Sequence, residues 1–152
     1  MFTEADRKIA RVARRQDQVF ALAQARAAGL TDDQIAHRLR RHAWTGLATG
    51  VYAHAHTDLS TKGRLRAATL ELPGAVASHE SAGELREFPL VPSGLVVVSR
   101  AQDDPNRSAL ATVRRVCDFD PADHTVMDGI PVTTAVRTAA DLAGVLGAGR
   151  YR

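Results

Sequence analysis

A chain of 152 residues holds one ordinary domain or two small ones and is long enough to bury an apolar core, which excludes disorder as the default state. Hydrophobic residues make up 45% and aromatic residues only 5%, so the core has to be built from Ala, Leu and Val. The lone Cys117 excludes an intramolecular disulfide, no N-terminal stretch follows a signal-peptide pattern, and no apolar run approaches the roughly 20 residues of a membrane helix. A cytoplasmic protein with no membrane contact is expected.

The formal net charge is +3 and the pI near 9.6. The charge is unevenly spread. Residues 1–66 carry 12 Lys and Arg against 6 Asp and Glu, a net of +6, and the remainder carries 8 against 11, a net of −3. The first part is therefore the electrostatic candidate for phosphate binding.

In chain order, Thr3 to Gln16 predicts a first helix, with Thr3 and Asp6 as a capping box and Ile9, Val12 and Ala13 as its apolar stripe. Arg7, Arg11, Arg14 and Arg15 form a basic face, either solvated or near a phosphate. Gln18 to Phe20 can pair as a strand, and Ala21 to Ala28 forms a second helix stopped by Gly29. Thr31 opens a third helix running to His42: its hydroxyl caps the backbone, Gln34 returns the bond three residues on, and Asp32 and Asp33 suit the positive end of the dipole. Ile35 and Leu39 face inward, so the opposite side presents Asp33, His37, Arg40 and Arg41, flanked by Gln34 and Arg38.

His42 to Ala53 places β-branched and aromatic residues on both sides of a Gly-containing turn, which suits a two-stranded ribbon. Helix, turn, helix, ribbon is the order of a winged helix-turn-helix, whose helix fits a major groove while the ribbon and nearby cations reach phosphates. The expected partner is double-stranded DNA, with Gln34, His37 and Arg41 at base edges and Arg38, Arg40, Thr49 and Lys62 at phosphates. One recognition helix reads only a few base pairs, which favours a homodimer.

A fourth helix, capped by Ser60 or Thr61, runs to about Leu72 and ends at Pro73-Gly74. A short helix follows from Ser78 or His79 to Arg86; Leu95 to Val98 is a buried strand by composition, and Ala111 to Val116 is a second candidate. Thr125 to Val132 forms two strands about an Asp-Gly turn, and Thr134 opens a last helix toward Leu146. The expected class is α+β: a winged helix-turn-helix over residues 1–57, then a small mixed α/β domain over 58–152.

Gly29-Leu30-Thr31, Ile35 to Arg41 and Gly50-Val51-Tyr52-Ala53 resemble the N-terminal winged-helix domain of AbiEi-type antitoxins of type IV toxin–antitoxin systems. Pro73 to Ala82, Asp128 to Thr134, Arg137-Thr138 and Asp141-Leu142-Ala143 are similar to the middle region of the same family. The resemblance implies a bacterial protein that represses its own operon and whose remaining region acts as antitoxin. Longer relatives continue into an endonuclease-like domain; with the sequence stopping at Arg152, that domain and its catalytic residues are expected to be absent. Gly83 to Phe88 departs from the more hydrophobic, Trp-containing stretch of the family.

Other chemistry finds little support. His54 and His56 alternate as strand neighbours would, but the nearest carboxylate is Asp58, so a polar ribbon edge is preferred to a metal site. Ser78-His79-Glu80 has hydrolase residue types, yet adjacent residues at a helix start do not face one another, and capping is the preferred role. Asp118, Asp120 and Asp123 near His124 read as an acidic loop with a turn or helix start at Asp120-Pro121, and Cys117 as a small apolar residue beside Val116. No cofactor, metal or catalytic residue is expected. A second reading makes the acidic C-terminal part a protein-interaction module that neutralises a toxin or blocks a host or phage process, with DNA binding secondary.

Overall fold

A computed structural model describes residues 2–101 and 107–149. The architecture is α+β. The first helix, α1 (Glu4–Arg15), starts at a capping box in which Asp6 N–H donates to Thr3 Oγ1 at 3.2 Å and Thr3 N–H to Asp6 Oδ2 at 2.8 Å. Ile9 and Ala13 are buried. Asp17 and Gln18 take left-handed φ of 52° and 74°, and β1 (Val19–Ala21) leads directly into α2 (Leu22–Ala27). Gly29, at φ 101°, supplies the turn that a Cβ would strain, and α3 (Asp32–Arg40) opens at Thr31 with the reciprocal Thr31–Gln34 bonds.

Strands β2 (Trp44–Ala48) and β3 (Val51–His54) form the ribbon, and β1 pairs on the other side of β3, giving an antiparallel three-stranded sheet of order β1-β3-β2. Ile9, Ala13, Phe20, Ala25, Leu30, Ile35 and Trp44 close the core between this sheet and the three helices. Phe20 and Trp44 meet edge-on at 4.7 Å between centroids.

Next, α4 (Thr61–Glu71) is capped by the Ser60 hydroxyl, which accepts from Gly63 N–H at 3.0 Å. It is buried on two sides. Ala67 joins Val19 and Val51 of the first sheet, whereas Leu65, Ala68 and Leu72 join Ala77, Val98, Ile130 and Val132 of the second. Arg66, also buried, donates from Nε to Asp17 Oδ2 at 2.7 Å and from Nη2 to the Asp128 carbonyl at 2.5 Å. One helix therefore fastens the first sheet to the second.

That second sheet is mixed and five-stranded, of order β6-β5-β4-β8-β7, from β4 (Val76–Ala77), β5 (Val97–Ala101), β6 (Thr112–Val116), β7 (His124–Met127) and β8 (Ile130–Thr133). The β4–β8 and β5–β6 pairs are parallel. Asp128 and Gly129 have φ of 50° and 76°, as a tight primed turn between β7 and β8 demands. Helix α5 (His79–Leu85) follows β4 and packs on α6 (Ala135–Gly149).

Several expectations are corrected. The buried strand placed at Leu95 to Val98 begins at Val97, because Ser81 Oγ donates to the Leu95 carbonyl at 2.8 Å and accepts from Val97 N–H at 2.7 Å, holding that backbone outside the ladder. Leu95 is 43% exposed. Cys117 is exposed, not an apolar filler. The ribbon strand ends at His54, and His56 sits beyond it at φ 60°, so the two are not strand neighbours. Among the described residues no helix is long and apolar enough to cross a membrane.

Candidate nucleic-acid interface

Helix α3 is held from behind, and that leaves its front open. Ile35 is buried and Leu39 packs on the same core. Arg38 turns inward: Nε donates to Asp6 Oδ1 at 2.8 Å, Nη2 to Asp6 Oδ2 at 3.1 Å and Nη1 to the Gln34 carbonyl at 2.9 Å. Its guanidinium lies 5.6 Å from the Trp44 ring centroid. The Asp6 and Arg38 side chains are only 10% and 15% exposed, and the guanidinium holds the Asp6 carboxyl well below the usual carboxylate range.

The opposite face of α3 carries Asp33, Gln34, His37 and Arg40, with Arg41 at the C-cap, all exposed. Gln34 Oε1 is used in the capping box, which leaves its amide N–H donors outward. His37, Arg40 and Arg41 make no side-chain hydrogen bond or ion pair among the described residues. Arg26 pairs with Asp32 at 2.8 Å, which lowers the carboxyl below its ordinary value and neutralises one acid at the helix start.

The other expected phosphate contacts stand elsewhere. Thr49 is exposed at the ribbon turn, but that turn is tied back, since Leu22 N–H donates to the Gly50 carbonyl at 2.8 Å and Leu47 and Ala48 pack beside Val51 and Ala67. From Trp44, next to α3, Thr49 is five residues along the strand, about 16 Å away. Lys62, near the start of α4, reaches across to Asp128 Oδ2 at 2.7 Å, and this ion pair lowers the Asp128 carboxyl. The structure thus leaves Gln34, His37, Arg40 and Arg41 outward on α3, turns Arg38 inward onto Asp6, ties back the turn that carries Thr49 and pairs Lys62 with Asp128.

The outward side of α1 is also basic. Arg7 and Arg11 share the exposed Glu4 at 3.6 and 3.7 Å, distances at which a solvated pair contributes little. Arg14 and Arg15 are exposed.

A second polar cluster was not foreseen from spacing. Ser78 makes no side-chain cap bond; its Oγ lies 3.0 Å from His79 Nδ1 and accepts from Ser99 Oγ at 2.7 Å. The expectation that Ser78 and His79 cannot face one another is therefore wrong. Its reason is the His79 backbone, at φ 49°, a left-handed conformation that costs a non-glycine residue about 1–2 kcal/mol. The acidic loop is likewise organised: Arg137 pairs with Asp118 at 3.3 Å, Asp123 at 2.9 Å and Asp141 at 2.9 Å, while Asp120 caps the 3₁₀ turn Pro121–Asp123. Among the described residues no group of three or more His, Cys, Asp or Glu could hold a metal ion.

No protein-family model matches the chain, and a search of curated proteins finds no match either.

Proposed function

We propose that this protein is a sequence-specific DNA-binding regulator with a winged helix-turn-helix in residues 1–57, acting as an autorepressor of the AbiEi antitoxin type that its sequence resembles. The observation that carries the reading is the outward face of α3, where Gln34, His37, Arg40 and Arg41 stand exposed on a helix braced by Ile35, Leu39 and the Arg38–Asp6 pair. Three helices with a β1-β3-β2 sheet supply the order of elements that such a module uses. In this reading Gln34, His37 and Arg41 meet base edges and Arg40 a phosphate, while Arg38 positions the helix instead of touching DNA. Thr49 and Lys62 contact phosphates only where the duplex reaches the ribbon turn and the start of α4.

The test is titration of the purified chain against duplex DNA from its own upstream region and against a scrambled duplex, at two salt concentrations. Tight binding confined to the upstream duplex is expected. Weak, equal, salt-labile binding to both contradicts the proposal.

A second reading, a protein-interaction surface in the C-terminal part, is favoured by one observation: Val136 is 82% exposed on α6, Ala139, Ala140, Ala143 and Leu146 are exposed with it, and the two charged residues of the helix, Arg137 and Asp141, are largely shut from solvent in their own ion pair. A stoichiometric partner that survives high salt and is lost with Val136→Lys supports it; a chain that purifies from cell extract alone counts against it.

A further inference from the structure

His79 is 7% exposed, yet it lines an open groove of about 450 Å³ together with Arg114, Ala140, Asp141, Gly144 and Val145. The left-handed backbone at His79 turns its ring onto Ser78. Ser99 Oγ donates to Ser78 Oγ at 2.7 Å, and Ser78 Oγ lies 3.0 Å from His79 Nδ1, which also stands 4.0 Å from Asp141 Oδ2. In the tautomer where Ser78 donates to Nδ1, the neutral imidazole carries its proton on Nε2, and Nε2 meets no protein partner among the described residues. Burial lowers the basicity of His79 against the opposing pull of Asp141.

The charges around the groove favour an anion. Arg114 is exposed and makes no ion pair among the described residues, whereas Asp141 has Oδ1 paired with Arg137 Nε at 2.9 Å and Oδ2 at 4.0 Å from His79 Nδ1. A guanidinium fork beside a fixed neutral N–H suits a tetrahedral oxyanion. Ala140, Gly144 and Val145 add an uncharged wall, and the volume exceeds what a bare ion fills. Strained backbone held in place by a buried polar chain is also the kind of feature that gathers at ligand sites.

We propose that this groove binds the phosphoryl group of a small phosphate ester, with Arg114 pairing with the oxyanion and His79 Nε2–H donating to it. The site lies on α5, β6 and α6, apart from the α3 face, and does not depend on DNA binding.

The experiment is an NMR titration of the full chain with inorganic phosphate and with AMP, repeated on Arg114→Gln and on His79→Asn, asparagine being tolerant of positive φ. Saturable shifts confined to residues 79, 114 and 140–145 are expected, with AMP bound at least as tightly as phosphate. Arg114→Gln should weaken both at least tenfold at an unchanged melting temperature, and Arg40→Gln should change neither. Shifts confined to Arg7, Arg11 and Arg40, or an Arg114→Gln variant that binds like the parent, overturn the proposal; phosphate binding with AMP excluded overturns its assignment to an ester.

Discussion

Arg38 and Asp6 form a two-toothed ion pair, 2.8 and 3.1 Å, between helices 32 residues apart in the chain. The pair fixes the angle at which α3 leaves the core, because both side chains are largely shut from solvent and Trp44 lies beneath the guanidinium. Truncating one partner leaves the other charge half-buried and unpaired, which is the costly way to break such a bond. Asp6→Ala is therefore expected to lose about 2–3 kcal/mol in urea unfolding. Arg38→Ala should lower DNA affinity for all sequences alike, through helix placement. A loss confined to one base pair would show instead that Arg38 reads DNA.

Burial holds both His54 and His79 below the ordinary imidazole range. A base with a depressed folded-state pKa binds protons more readily unfolded, so its contribution to stability is full at neutral pH. It is lost as pH falls below about 6.5, the unfolded imidazole value. The melting temperature should drop between pH 7 and pH 5, and below about pH 4 the loss should steepen as Asp6, depressed by Arg38, is protonated on unfolding. His54 Nε2 is buried without a hydrogen bond beside Phe20 and Trp44, so His54→Phe should flatten the first part of the profile. A melting temperature that is level or rising from pH 7 to pH 5 contradicts the account.

Gly63 lies inside α4, where alanine normally gains about 1 kcal/mol. Here a Cβ would stand 2.9 Å from the Asp17 carbonyl oxygen and 3.4 Å from Leu59. Gly63→Ala is expected to destabilise by about 1–3 kcal/mol, since α4 must back away from the β1 turn. Denaturant unfolding measures it, and a gain in stability would show that the helix shifts freely.

Elements with their own local chemistry were legible in the sequence. The Thr31–Gln34 box, the Asp128–Gly129 turn and the Ser60 cap each need only neighbours within three residues. Strand β4 was missed because two residues carry no period; it exists through its neighbours, Val76 opposite Ser99 and Ala77 opposite Val98 and Val132. Helical periodicity set Arg38 on the flank of the open face, and only a carboxylate from a distant helix turns it inward. His79 escaped for a related reason: the rule that adjacent residues at a helix start diverge presumes ordinary φ, which His79 lacks. The local shape of α3 could be read, but what Arg38 and Lys62 pair with could not.

The proposed regulator predicts that base contacts and phosphate contacts separate by variant. Arg40→Ala should weaken binding to every duplex and reduce the salt slope by about one, whereas Arg41→Ala should cost about 1–3 kcal/mol on the preferred duplex. Fluorescence titrations at several salt concentrations distinguish the two.

Enrichment of duplexes from a random pool, by the parent chain and by Arg41→Ala in parallel, tests the central claim most directly. The account predicts a short preferred motif for the parent and loss of discrimination at one of its base pairs for the variant. An unchanged motif in the variant, or none for the parent, would contradict a role for the α3 face in reading DNA.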